Sequence, residues 1–179
     1  GDGLLTLAFE VMAGAAVPPD LLRRKAEAIR TVSRSAGVDG LIGGQVLDIT
    51  LKPQKITRSK IDGLIRKKTG ALIAAAVEVG AVLSRARPSE RGALLDYAKN
   101  IGLAFQVRDD ILDSRRKKGK GHPDRPDYVV FAGEEKARQR LESLVRKASD
   151  SLTRLSPRGE ELGYLAASLL APDQETGNG

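Results

Sequence analysis

Between Gly70 and Leu83 the chain reads GALIAAAVEVGAVL, small and apolar on nearly every side of a helix, with Glu78 as its one charge. A helix without a polar face has to be enclosed by other elements, so this segment is expected deep in a bundle. A sheet is a poor alternative. Aromatic residues make up 3% of the 179 and Trp is absent, although 41% of residues are hydrophobic. Ala, Leu, Ile and Val must therefore fill the core, which suits close-packed helices better than strands rich in β-branched and aromatic side chains. The same run falls short of the roughly 18 apolar residues that a membrane span requires, so no span is expected. The length suits one domain.

The expected fold is all-α, with about seven helical segments and no strand. The first runs from Asp2 to Ala15, with Leu4, Leu7, Ala8 and Val11 at helical spacing and Leu4, Leu7 and Phe9 assigned to the core. Pro18-Pro19-Asp20 opens a second helix that reaches Ala36. A third, Leu41 to Leu51, contains Gly43-Gly44, which costs about 1 kcal/mol per Gly and allows a close approach. Thr57 or Ser59 caps a long helix to Arg85, and Pro88-Ser89 opens another to Asp113. Gly133 to Leu155 is amphipathic, burying Leu141, Leu144, Val145 and Leu152, and a last helix follows Pro157. Residues 1–171 are read as one partial domain and 172–179 as a disordered tail. The N-terminal GDGLLTLAFE, interrupted by Asp2 and Glu10 and lacking a basic start, reads as the middle of something longer and not as a leader. With no Cys there is no disulfide, which agrees with an expected cytoplasmic location.

The chemistry concentrates in FQVRDDILD, Phe105 to Asp113. Residues four apart share a helix face, so Asp109 and Asp113 align while Asp110 lies beside them. Carboxylates so placed can ligate Mg²⁺, a hard cation that shares its shell with substrate phosphates. The bland alternative is a solvated acidic patch. Against it, like charges four apart cost a few tenths of a kcal/mol in a helix. Negative charge near a helix C-terminus costs roughly 0.3–1 kcal/mol more. Stability given up without structural return points to function.

The net charge of +7 favours polyanionic or phosphorylated partners, and Arg115, Arg116, Lys117, Lys118, Lys120 and Arg125 cluster in one loop-like stretch. Nucleic acid is not the expected partner, because stacking aromatics are nearly absent and no recognition motif is present.

GLAFQVRDDILD resembles the second aspartate-rich motif of the trans-isoprenyl diphosphate synthases of farnesyl and geranylgeranyl type. GDGLLTLAFE, GLIGGQVLDI at Gly40 to Ile49 and RKKTGALIAAAV at Arg66 to Val77 agree with that family in type and order. The resemblance covers nearly the whole chain and corresponds to the C-terminal portion of an isoprenoid-synthase helical bundle. It implies a prenyltransferase that condenses isopentenyl diphosphate with an allylic diphosphate, assisted by Mg²⁺. It implies that Asp109, Asp110 and Asp113 hold the metal. Lys68 would contact the diphosphate, Thr69 would lie near the nascent cation, Gln45 and Gln106 would line the reacting centre, and Asp48, in the same block as Gln45, would belong to the substrate-binding residues. Lys120 after Gly119, and Arg125 where a second Lys is usual, would grip diphosphate from the basic loop. Asp127 stands where a small hydroxyl residue is usual. His122 is given no role.

The family's first aspartate-rich motif and its Arg pair, upstream of the block matched by Gly1 to Glu10, are absent from this sequence. The chain alone is therefore expected to be inactive or severely impaired, and the complete protein to be a homodimer. The rival expectation is a non-catalytic, diphosphate-binding or regulatory subunit of a full-length synthase.

Overall fold

The computed structural model describes residues 1–51, 57–116, 127–155 and 159–171. Lys120, His122, Arg125 and most of the basic loop lie outside them, as does the expected tail. Helix α1 spans Asp2–Gly14, α2 Leu22–Ala36 after a 3₁₀ turn at Pro19–Leu21, and α3 Leu41–Thr50. Thr57 caps α4, Arg58–Ile65, by accepting the Lys60 amide at 3.4 Å. A π-helical turn, Arg66–Gly70, continues directly into α5, Ala71–Leu83. Helix α6 runs over Pro88–Arg116, α7 over Tyr128–Ala132, α8 over Glu134–Leu152 and α9 over Glu160–Ser168. Among the described residues there is no strand. No described helix is long and apolar enough to cross a membrane.

The core lies where α6 and α8 form the most extensive helix pair. Val107 and Ile111 of α6 meet Leu141, Leu144, Val145 and Leu152 of α8, with Ile61 and Ile65 of α4 closing the cluster. Tyr97 is buried in it and donates its hydroxyl hydrogen to the Leu162 carbonyl at 2.9 Å, fastening α9 to α6. On the other flank, Arg91 of α6 reaches Glu27 of α2 at 2.6 Å and Glu78 of α5 at 3.1 Å.

Two glycines bring backbones together at the centre. A Cβ on Gly102 of α6 would stand 2.8 Å from the Gly70 Cα, and one on Gly44 of α3 would stand 2.5 Å from the Lys68 Cα. Helices α3 and α6 therefore both rest against the backbone of the π turn, which only glycine permits.

Some expectations are corrected. Leu4, Leu7 and Phe9 are not core: α1 buries no residue, leaving Leu4 73% exposed and Phe9 half-buried, because α1 packs chiefly on α2. Helix α5 is also less enclosed than expected, with Ala75, Ala81 and Val82 buried but Leu72 and Leu83 exposed. The long helix expected from Thr57 to Arg85 is present but broken by the π turn, and the short helix α7 falls between the basic loop-like stretch and the helix expected from Gly133, in residues to which the sequence assigns no element.

Candidate active site

The π turn sets the geometry. Inserting an extra residue per turn rotates Lys68 and Thr69 out of the register of the flanking α-helix, and such turns recur at functional sites. Lys68 faces α3, where its ammonium meets the buried Asp48 carboxylate at 2.5 Å. Thr69 faces α6, where its hydroxyl donates to Gln106 Oε1 at 2.8 Å. Gln106 Nε2 donates in turn to Asp110 Oδ1 at 2.9 Å, one helical turn further on. Asp110 Oδ2 accepts the backbone N–H of Tyr128 at 2.8 Å. The chain of hydrogen bonds thus runs from the π turn, across α6, to the start of α7.

These groups line a cavity of about 160 Å³ with Asp109, Asp113 and Asp127. Leu64 and Ile65 supply its apolar wall, and Lys68 is its one cation among the described residues. Of the predicted site residues, Asp48, Lys68, Thr69, Gln106, Asp109, Asp110 and Asp113 are thereby brought together. Gln45 is exposed on α3 and not among the lining side chains. Lys120 and Arg125 fall outside the described residues.

The three aspartates of the motif are not equivalent. Asp109 is exposed and Asp113 half-buried, whereas Asp110 is 8% exposed with both oxygens engaged. Burial pushes the Asp110 carboxyl up to about 7, and the neighbouring Asp127 and Asp109 carboxylates push the same way. Its bonds from Gln106 and the Tyr128 amide oppose the shift without cancelling it.

Asp127 was the anomaly of the sequence, and its place is now clear. Its Oδ1 accepts the Val129 and Val130 amides at 2.7 and 3.0 Å, which makes it the N-cap of α7. Ser and Thr cap helices in the same way, so an acid there preserves the structural task of a hydroxyl. An Asp directly before the apolar run Tyr128 to Phe131 was the signal available in the sequence. The Tyr128 amide as a partner for Asp110 had none.

The donor set suits a hard divalent ion: carboxylate oxygens dominate the cavity, and their mutual repulsion favours a cation among them. Among the described residues no three such side chains converge closely enough to hold a metal alone. Mg²⁺ fits that arrangement, since it commonly takes one or two carboxylates and completes its shell with water and substrate phosphate.

Comparison with known proteins identifies the family and the fold. The profile of the polyprenyl synthetase family matches residues 1–127. Farnesyl diphosphate synthase of Escherichia coli (strain K12) is 34% identical over 176 residues, 93% of this chain and 59% of that protein. Geranylgeranyl diphosphate synthase of Cyanophora paradoxa is 37% identical over 163 residues, 85% of this chain and 53% of its own length. Among solved structures, an FPP/GFPP synthase of Zymomonas mobilis superposes with a TM-score of 0.81 at 31% identity, covering 94% of this chain and 58% of that one. Geranyltransferase of Helicobacter pylori, complexed with magnesium and isoprenyl diphosphate, gives 0.78 at 28% identity, with 94% and 57% coverage. The chain spans a little over half the length of these relatives.

Proposed function

The chain belongs to the polyprenyl synthetase family, and from that premise we propose that it carries the part of a prenyltransferase site that receives an allylic diphosphate for condensation with isopentenyl diphosphate. The observation that carries the reading is the convergence of Lys68, Thr69, Gln106, Asp109 and Asp113 on one oxygen-rich cavity. Asp109 and Asp113 are the side chains that would hold Mg²⁺, with Asp110 behind them tying α6 to α7. When bound, the ion supplies neutralisation of the charge that grows on the departing diphosphate.

The chain's own residues bind and orient. Lys68 has three donors, so its ammonium can keep Asp48 and still donate to a diphosphate oxygen. Thr69 and Gln106 place oxygen dipoles beside the carbon that loses the diphosphate, where positive charge develops. Leu64 and Ile65 give that carbon an apolar wall against water. The electron pair of the C–O bond leaves with the diphosphate, and the double bond of isopentenyl diphosphate supplies the pair for the new C–C bond. The proton then lost from the adjacent carbon goes to the departing pyrophosphate. Gln45 keeps its reacting-centre role, and Lys120 and Arg125 their diphosphate-gripping roles, on the resemblance alone. A cytoplasmic homodimer as the complete protein belongs to the same reading.

A non-catalytic diphosphate-binding subunit is the second reading. What favours it is that Lys68 and Thr69, in a cavity lined by Asp109 and Asp113, can hold a diphosphate without any carbon–carbon bond being made. An incorporation assay separates the two, with labelled isopentenyl diphosphate, an allylic diphosphate and Mg²⁺. It is run on the chain alone and on the chain joined to the upstream portion of the E. coli relative. Prenyl product from the joined protein that disappears in Lys68→Ala supports the transferase. Diphosphate binding without product in either form supports the subunit.

A further inference from the structure

A second charged cavity, of about 430 Å³, opens between the start of α4, helix α7 and the first half of α8. It shares no lining residue with the aspartate cavity and has the opposite charge. Arg58, Lys136 and Arg140 line it, and among the described residues no carboxylate does. Two of these cations share Asp62, whose Oδ2 meets Arg140 at 3.1 Å and Arg58 at 4.0 Å. One carboxylate shared by two guanidinium groups leaves positive charge in surplus, and Lys136 adds to it.

Arg140 is the fixed element of the three. Its side chain is 14% exposed and held through Nη2 by Asp62; its Nε and Asp62 Oδ1 are both buried without a hydrogen-bond partner among the described residues, so Arg140 meets the cavity through its outer guanidinium nitrogens. A guanidinium held in this way is pre-organised for a planar or tetrahedral oxyanion. Beside the cations, Phe131 is 39% exposed and stands edge-on to the buried ring of Tyr128, with centroids 6.1 Å apart. The wall is thus apolar next to a cationic floor, a combination that free phosphate would use only in part.

We propose that this cavity binds a small organic phosphate, its phosphate among Arg58, Lys136 and Arg140 and its apolar body against Phe131. Phenyl phosphate and inorganic phosphate are the probes, titrated calorimetrically into the protein in EDTA so that no metal-dependent binding contributes. Phenyl phosphate binds more tightly than inorganic phosphate, and Asp109→Ala leaves its affinity unchanged. Arg58→Ala with Lys136→Glu, both exposed positions, weakens both probes about tenfold or more. Phe131→Ala weakens phenyl phosphate alone. If the double variant loses its helical circular dichroism, Lys136→Ala is read instead for a smaller weakening of both probes. Absence of saturable binding at millimolar probe overturns the proposal. So does an affinity that survives the charge variants, or one that falls with Asp109→Ala.

Discussion

Asp110 of α6 accepts the backbone N–H of Tyr128 at 2.8 Å, so the aspartate-rich motif is fastened to the first residue of α7. The same carboxyl is held by Gln106, which Thr69 of the π turn holds in its turn. Three elements separated in sequence are therefore joined through one buried group, and perturbing it is expected to register in stability as well as in ligand binding.

The first consequence is a pH dependence. Burial raises the Asp110 carboxyl from 3.8 to about 7 in the folded protein, so between those values the folded state binds more protons than the unfolded one. The stabilising contribution is full below about 4, declines as pH rises through 7, and amounts to at most about 4 kcal/mol. Urea unfolding of the metal-free protein will show stability from this group falling between pH 5 and pH 8. Asp110→Asn will flatten that slope. A slope unchanged in the variant would show that another group titrates.

Capping at Asp127 predicts a ranked pair of variants. Asp127→Ala removes the acceptor for two α7 amides and should cost about 1 kcal/mol, whereas Asp127→Ser should retain most of it. Shifts in the urea midpoint at constant slope measure both. Equal losses would contradict the capping role.

Gly44→Ala tests the contact between α3 and the π turn. The added methyl meets the Lys68 backbone and not a movable side-chain end, so α3 has to shift at a cost of roughly 1–3 kcal/mol. The Lys68–Asp48 pair is lost with that shift, and binding of a diphosphate analogue should weaken in step. Gly80→Ala, where a Cβ meets nothing within 4 Å, is the control and should be neutral or stabilising.

Much of this was legible from the residues. The scarcity of aromatics pointed to helices, proline and glycine marked most of the ends, and Leu141, Leu144, Val145 and Leu152 announced the buried face of α8. The helical spacing of Asp109 and Asp113 put both on one face of α6. Periodicity reports one helix at a time, however. It could not show that Leu4 and Leu7 would stay exposed, nor that α5 would be half open. The π turn at Arg66–Gly70 was illegible because its sequence is ordinary for a helix, and the extra residue is accommodated through contacts from Gly44 and Gly102. Asp110 likewise looked equivalent to Asp109 until the Tyr128 amide, eighteen residues on, was seen to hold it.

The most direct test of the central claim is calorimetric binding of a non-hydrolysable allylic diphosphate analogue, with and without Mg²⁺, to this chain and to Asp109→Ala. The account predicts binding that requires both the metal and Asp109, together with a further loss in Lys68→Ala. Binding that is indifferent to Mg²⁺ and to Asp109 would contradict it, since the aspartate-lined cavity would then not be where the diphosphate is held.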